Sequence, residues 1–364
     1  MLETPGVTTC QAAILMADQS RDSGWAYGWA DFDPEVVEGL VENDPRFINR
    51  RQDGWIACPL VGHYDDRLRW KEDNYRKGSV PCGDPPASFR AAPTYVLERP
   101  LDNFIAGRDL IGDAIAGKWG NAEAGRLGNE NSEGALTWNV LRSLQEAGCL
   151  SIAAHVLADV ESSTEPELFF WGQRLELTAA VAWTELQALR NELEPGLTQQ
   201  TEPDAGLHIA GWGWVLIEAR FGSGADVYDD PARVEAWLER YSTACPGLFD
   251  AEAIRGVKLR EFPEQLLRNI ALAHNLKAEG EHATVVSLVR ENDPTTIEKW
   301  VGRCLAATAD VRFRRATWEG LYRALDPDHA GLEHLRRYME NKSYGLRPAF
   351  ALHEADPEEP PSRG

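Results

Sequence analysis

The chain is poor in several things that would each announce a function. Its six cysteines, Cys10, Cys58, Cys82, Cys149, Cys245 and Cys304, include no Cys-x-x-Cys pair. A zinc knuckle and a small disulfide scaffold are therefore not indicated, and the thiols read as reduced bystanders. Apolar runs are short: the stretches 11–17 and 212–217 fall well below the roughly 18–20 residues of a membrane span. The start, Met-Leu-Glu, offers no basic segment ahead of a long apolar one, so the expectation is a cytoplasmic protein with no membrane partner. Glycine-rich loops ending in Gly-Lys-Ser/Thr are missing, as is a Gly-x-Ser-x-Gly elbow. The eight histidines show no metal-ligand spacing, and His274 reads as a packed residue.

Positive charge is also scarce. Lys and Arg number 37 against 58 Asp and Glu, for a formal net charge of -21. Such a field opposes nonspecific attraction to nucleic acid, because each phosphate contact needs a compensating cation. A polyanionic ligand would need a local basic cluster, or positive surface supplied by a second copy or a protein partner.

With 364 residues and 43% hydrophobic composition, the chain has material for one large core or two modest ones. Residues 1–120, rich in Trp, Pro, Gly and charge, have few helical periods. They read as an irregular extension whose aromatics pack on the later part. Regular patterning begins at Ser132, with Leu136, Val140, Leu144 and Ala147 at helical spacing and Gly148 as a stop. Leu175, Ala179, Ala182, Leu186, Leu189 and Leu193 predict a second helix, closed by Pro195-Gly196. Two short runs around Ala210-Gly211, 205–209 and 212–218, predict a hairpin. Helices are expected from Asp230-Pro231, over 262–276, from Asp293-Pro294, from Thr317 and near Gly331, with strands over 284–289 and 311–315. A helical segment over 326–354 and a disordered, Pro- and Glu-rich tail from 355 complete the expected layout.

Hydrolysis of a phosphodiester with Mg²⁺ needs two or three carboxylates converging on one point, since this cation prefers oxygen ligands. The hairpin supplies a route to such convergence. Asp204 enters it from the Glu202-Pro203-Asp204 turn and Glu218 ends its second strand, so antiparallel pairing brings the two together. Strand alternation then puts Glu218 and Arg220 on one face, a cation beside the acids. Each has a plainer reading: Asp204 as a turn former, Glu218 as half of a salt bridge with Arg220. Gln265 and Arg268 share a helical face that either reaches the same site or is merely solvated. Arg312, Arg314 and Arg315 form the densest basic cluster, suited to phosphates or simply to the surface.

The string Glu202-Pro203-Asp204, the hairpin, and Ile217-Glu218-Ala219-Arg220-Phe221-Gly222-Ser223 together resemble the PD-(D/E)XK nucleases, over roughly residues 121–325. The resemblance implies an α/β (α+β) fold of restriction-endonuclease-like type: a central mixed sheet flanked by helices, in the order helix, three antiparallel strands, helix, strand. It also implies a metal-binding glutamate on the first helix, which falls on Glu133. Asp204 and Glu218 would then share Mg²⁺ (or Mn²⁺) with Glu133, and Arg220 would stand where the family carries lysine. The implied activity is cleavage of nucleic acid, DNA in preference to RNA, in restriction, phage defence or repair. The competing expectation is a nuclease-fold binding or scaffold protein without turnover, to which the lysine-to-arginine departure points.

Overall fold

The computed structural model describes residues 100–116, 127, 131–197, 200–221, 231–293, 297–344 and 347–352, and the strand segments 50–52, 55–57, 68–71 and 77–80. The latter are β1 (Arg50–Gln52) with β2 (Trp55–Ala57), and β3 (Leu68–Lys71) with β4 (Lys77–Val80), two antiparallel ribbons. The tail from 355 lies outside the described residues.

The centre of the fold is a mixed sheet of seven strands. They are β5 (Glu167–Phe170), β6 (Gln173–Leu175), β7 (Ala180–Ala182), β8 (Ala205–Ile209), β9 (Gly213–Ala219), β10 (His282–Val289) and β11 (Val311–Thr317), in the spatial order β11-β10-β9-β8-β5-β6-β7. β9, β10 and β11 run parallel, while β8, β5, β6 and β7 are joined by antiparallel pairing, so the two kinds of pairing meet at β9. The chain forms an α/β structure with helices on both faces of this sheet.

Alternation along β9 assigns the faces. Val215, Ile217, Ala219 and then Phe221 join one apolar core, with helices α2 (Glu133–Glu146), α3 (Leu150–Ala158), α9 (Trp318–Arg323) and α10 (Glu333–Glu340). Trp214 and Leu216 belong to the other, with α4 (Thr184–Leu193), α5 (Pro231–Ala244), α6 (Ala251–Arg255), α7 (Glu264–Leu276) and α8 (Glu298–Cys304). A period of two sorts one strand between two cores.

Helix α2 starts as expected, with the Ser132 hydroxyl accepting from the Ala135 amide at 3.2 Å. It is buried on nearly all sides, because residues 100–116, which include α1 (Ile111–Ala116), cover its outer face. Phe104, Leu110, Ile111 and Ala114 enter the same core. Trp138 donates to the Ala106 carbonyl at 2.9 Å, and Asn139 both donates to the Asn103 carbonyl (2.7 Å) and accepts from the Ile105 amide (2.9 Å). Leu332, Leu335, Tyr338 and Met339 complete that core from the carboxyl-terminal side.

One predicted helix is corrected. Residues 175–193 are not a single helix: Leu175 ends β6, Ala180–Ala182 forms β7, and only Thr184–Leu193 is helical. Leu175 pairs with Ala180 across a tight turn, where the Glu176 amide donates to the Ala179 carbonyl. Arg142 holds that turn by donating to the carbonyls of Glu176 (2.7 Å) and Leu177 (2.6 Å). Tertiary pairing to β5 has overridden a periodicity that was accidental across the turn. The expected order of core elements is altered accordingly, since β6, β7 and α4 intervene between β5 and the β8–β9 hairpin.

The hairpin stands as the spacing predicts. At its start Gly213 has φ +131, and a Cβ there would lie 2.0 Å from the carbonyl oxygen of His282, its partner on β10. Only glycine permits that approach.

Candidate functional site

The chemistry-bearing residues gather where β8 begins and β9 ends. β8 pairs with β9 only as far as Ala205 opposite Ile217. Beyond that point the amides of Ala219 and Phe221, two residues apart and on the same side of the strand, have no β8 carbonyl to meet. Two carboxylates take them instead. The Asp204 Oδ2 accepts from Ala219 N at 2.9 Å, and the Glu133 Oε1 accepts from Phe221 N at 2.7 Å. Glu133, at the amino-terminal end of α2, thereby comes to the sheet from one face.

Glu218 extends to the other face, toward α7. Its Oε2 accepts from the Asn269 carboxamide at 2.8 Å. Ser287 on β10 is its cross-strand neighbour, and Arg315 on β11 continues the row. Arg220, on the same face, is buried; its Nη1 lies 3.8 Å from Glu298 Oε1 and has no hydrogen-bond partner among the described residues. Glu298 on α8 also accepts from Ser287 Oγ at 3.0 Å. The Arg220 backbone is pinned on both sides, its amide on the Leu288 carbonyl (2.8 Å) and its carbonyl on Trp318 Nε1 (3.1 Å).

Electrostatics single out Glu218. Burial raises its pKa, the neighbouring Asp204 raises it further, and Glu133 adds to the effect. Arg220 and the Asn269 hydrogen bond work in the opposite sense without cancelling it, so the carboxyl is pushed up to about 8. By exposed surface the residue is half-buried. Close carboxylates with too little compensating charge are what a cation would relieve. The donors are all oxygen, which suits Mg²⁺ or Mn²⁺. Among the described residues, however, no group of three or more His, Cys, Asp or Glu side chains already stands arranged to hold a metal ion. The physical reason is visible in the hydrogen bonds: Asp204 and Glu133 are drawn to amides two residues apart, roughly 6–7 Å along a strand. Side-chain rotation would have to precede shared ligation.

The remaining predicted residues are dispersed. Gln265 is half-buried one turn before Asn269 on α7, and so faces the same side of the sheet. Arg268 is committed to the interior, donating to Glu194 at 2.9 Å, with Glu264 at 3.9 Å. The three arginines of β11 are not one cluster, because strand alternation splits them. Arg312 and Arg314 point to the α3 side, where Arg314 lies 4.0 Å from Asp159, while Arg315 points to the opposite face and donates to the Arg290 carbonyl at 3.3 Å. His274 faces Asp310 at 2.8 Å and is not part of the site.

Two residues that meet Glu218 and Arg220, Asn269 and Glu298, carry no distinguishing mark of their own in the sequence. Asn269 lies among Leu266, Ile270 and Ala273 on the buried side of α7, and its spacing of four from Gln265 was the available signal. Glu298 could be linked to Arg220 only through the crossing of β10. No family model, curated protein or solved structure matches this chain.

Proposed function

We propose that this chain is a metal-dependent nuclease that hydrolyses phosphodiester bonds, in DNA in preference to RNA, built on a restriction-endonuclease-like core. The observation that carries this reading is the gathering of Glu133, Asp204 and Glu218 around the end of β9, with Arg220 the nearby cation. The place is apt, since in sheets with parallel strands ligands bind beyond the carboxyl ends, where the strand pattern changes.

Glu133, Asp204 and Glu218 would hold Mg²⁺ or Mn²⁺, which when bound supplies Lewis acidity and an ionised water. Asp204 and Glu133, now held at the end of β9 by backbone amides, would turn from those amides to share the ion. Asn269 orients the Glu218 carboxylate. Arg220 cannot accept a proton near neutral pH, so its part is to offset negative charge that grows on the phosphate during reaction. The acidic surface implies that a nucleic acid is engaged with the help of basic groups from a second copy or a protein partner.

A second reading, a nuclease-fold scaffold without turnover, is favoured by one observation: Arg220 is buried and faces Glu298, an arrangement that also serves stability alone. One experiment separates the two. Purified protein is incubated with single- and double-stranded DNA and with RNA, in Mg²⁺ or Mn²⁺ and in EDTA. The enzyme reading expects cleavage that vanishes in EDTA, comparable or higher activity for Arg220→Lys, and about a hundredfold loss or more for Arg220→Ala. A silent wild type restored by Arg220→Lys would establish the scaffold. Cleavage that persists in EDTA would remove the metal from the mechanism.

A further inference from the structure

Asn269 has a feature that its bond to Glu218 does not use. The residue is fully buried, its Nδ2 donates to Glu218 Oε2 at 2.8 Å, and its Oδ1 has no hydrogen-bond partner among the described residues. A shielded amide oxygen without a donor carries an unrepaid desolvation cost. Buried polar groups in native proteins are otherwise almost always satisfied, by protein or by water. On the face of β9 that Glu218 shares, the Arg220 Nη1 is a buried donor without a hydrogen-bond partner among the described residues, beside Glu298 at 3.8 Å. One acceptor and one donor, each unspent, therefore flank Glu218 from α7 and from β9. Water offers both a hydrogen to the first and a lone pair to the second, and such sites commonly hold one.

We propose that Asn269 is a two-ended positioning residue: its amide hydrogens fix the Glu218 carboxylate, and its carbonyl oxygen seats a water molecule beneath the carboxylates. This rests on the nuclease reading only as far as the metal is concerned. Mg²⁺ and Mn²⁺ retain waters, and ordered acceptors around them orient both ligand and solvent. A leucine of nearly the same size would fill the space and provide neither function. The alternative is that Asn269 merely packs in the apolar side of α7 between Leu266 and Ala273.

The test uses the full chain and the variants Asn269→Leu and Asn269→Ala, the second covering the case in which leucine prevents folding. Mn²⁺ binding is measured by calorimetry and by the electron paramagnetic resonance signal of the free ion, alongside thermal unfolding. Variants that fold should bind Mn²⁺ about 10–100-fold more weakly than wild type. High-resolution crystal structures of wild type and variant should show a water on Asn269 Oδ1, and a Glu218 rotamer that changes when the amide is removed. Wild-type Mn²⁺ affinity in a folded variant overturns the proposal, as does an unchanged Glu218 rotamer or a dry Oδ1. If the wild type itself binds no Mn²⁺, the metal reading fails and the crystal structures alone decide the role of Asn269.

Discussion

Two glutamates on the same side of the sheet, Glu194 buried and Glu218 half-buried, are served by consecutive residues of one helix, and they end in opposite states. Arg268 of α7 donates to Glu194 at 2.9 Å, and Asn269 to Glu218 at 2.8 Å. Glu194 also accepts from the Thr201 hydroxyl (2.6 Å), the Thr201 amide (2.5 Å) and the Tyr241 hydroxyl. Burial alone would raise its pKa, but the bond and charge of Arg268, with Thr201 and Tyr241, outweigh burial and hold it below the ordinary carboxylate value. For Glu218 burial raises the pKa, Asp204 and Glu133 add to it, and the charge of Arg220 with the amide of Asn269 does not outweigh them, so its carboxyl rises. The difference teaches how an acid that closes a structural network differs from the one proposed to bind a cation. The first is surrounded by donors until its charge is at ease; the second is left short of positive charge in a place a ligand could supply it.

The comparison can be broken most forcefully at Glu194. Glu194→Ala leaves Arg268 buried without its main partner and strands Tyr241 and Thr201, a loss of about 3–5 kcal/mol. Urea unfolding should show a large drop in midpoint, and a variant as stable as wild type would mean that this network contributes nothing.

A smaller effect, of opposite sign, is expected for Glu218→Gln. The folded-state pKa of Glu218 is raised above its ordinary value, so its contribution to stability is complete at pH below about 4.5 and is lost as pH rises through about 8. Wild type should therefore weaken between those limits by roughly 1–2 kcal/mol, allowing for the shared burden among the carboxylates. Glu218→Gln should flatten that slope and be the more stable protein at pH 8. Glu194 works the other way: its lowered pKa means stability present above the ordinary carboxylate value and lost in acid. Melting temperatures of both variants from pH 4 to 9 would check the two slopes, and parallel slopes would cancel the distinction.

The same logic sharpens with a cation. Millimolar Mg²⁺ or Mn²⁺ should raise the melting temperature of wild type by a few degrees at pH 8 and less at pH 6, where protons compete for Glu218, and EDTA should reverse it. Glu218→Gln should lose most of the response, whereas a surface change remote from the site should keep it. The smallest effect is expected at Arg312, exposed on the edge strand: Arg312→Glu should alter stability by no more than about 0.5 kcal/mol.

Legibility from sequence followed the range of the interactions. The β8–β9 hairpin was readable because Ala210-Gly211 marks its turn and its flanks alternate, and with it the shared face of Glu218 and Arg220. Ser132 announced α2, hence the place of Glu133 at a helix start. The sheet beyond β8 was not readable. β5 has four residues, three of them apolar, and β6 and β7 are three residues each, too short to outweigh an accidental helical period that ran from Leu175 to Leu193. α3 was also missed, since Leu150–Ala158 is short and apolar on most sides, and only Ser151 and His155 mark its polar face. Arginines counted as one cluster along β11 were separated by the pleat, something that their proximity in sequence conceals. The pairing of Arg220 with Glu298, 78 positions apart, depends on a crossover that no local pattern encodes.

The contact of Gly213 with His282 bears on tolerance to mutation far from any charged group. β9 and β10 lie in a fixed alignment, Gly213 against His282 and, five residues on, Glu218 against Ser287. A single methyl at Gly213 would collide with the His282 carbonyl at 2.0 Å and force the strands apart or past one another. A slip by one residue would turn Glu218 and Arg220 to the α2 face and bring Ile217 and Ala219 to the α7 face. The vernier that sets which acids meet is therefore read at the far end of the strand, at a position that carries no chemistry of its own.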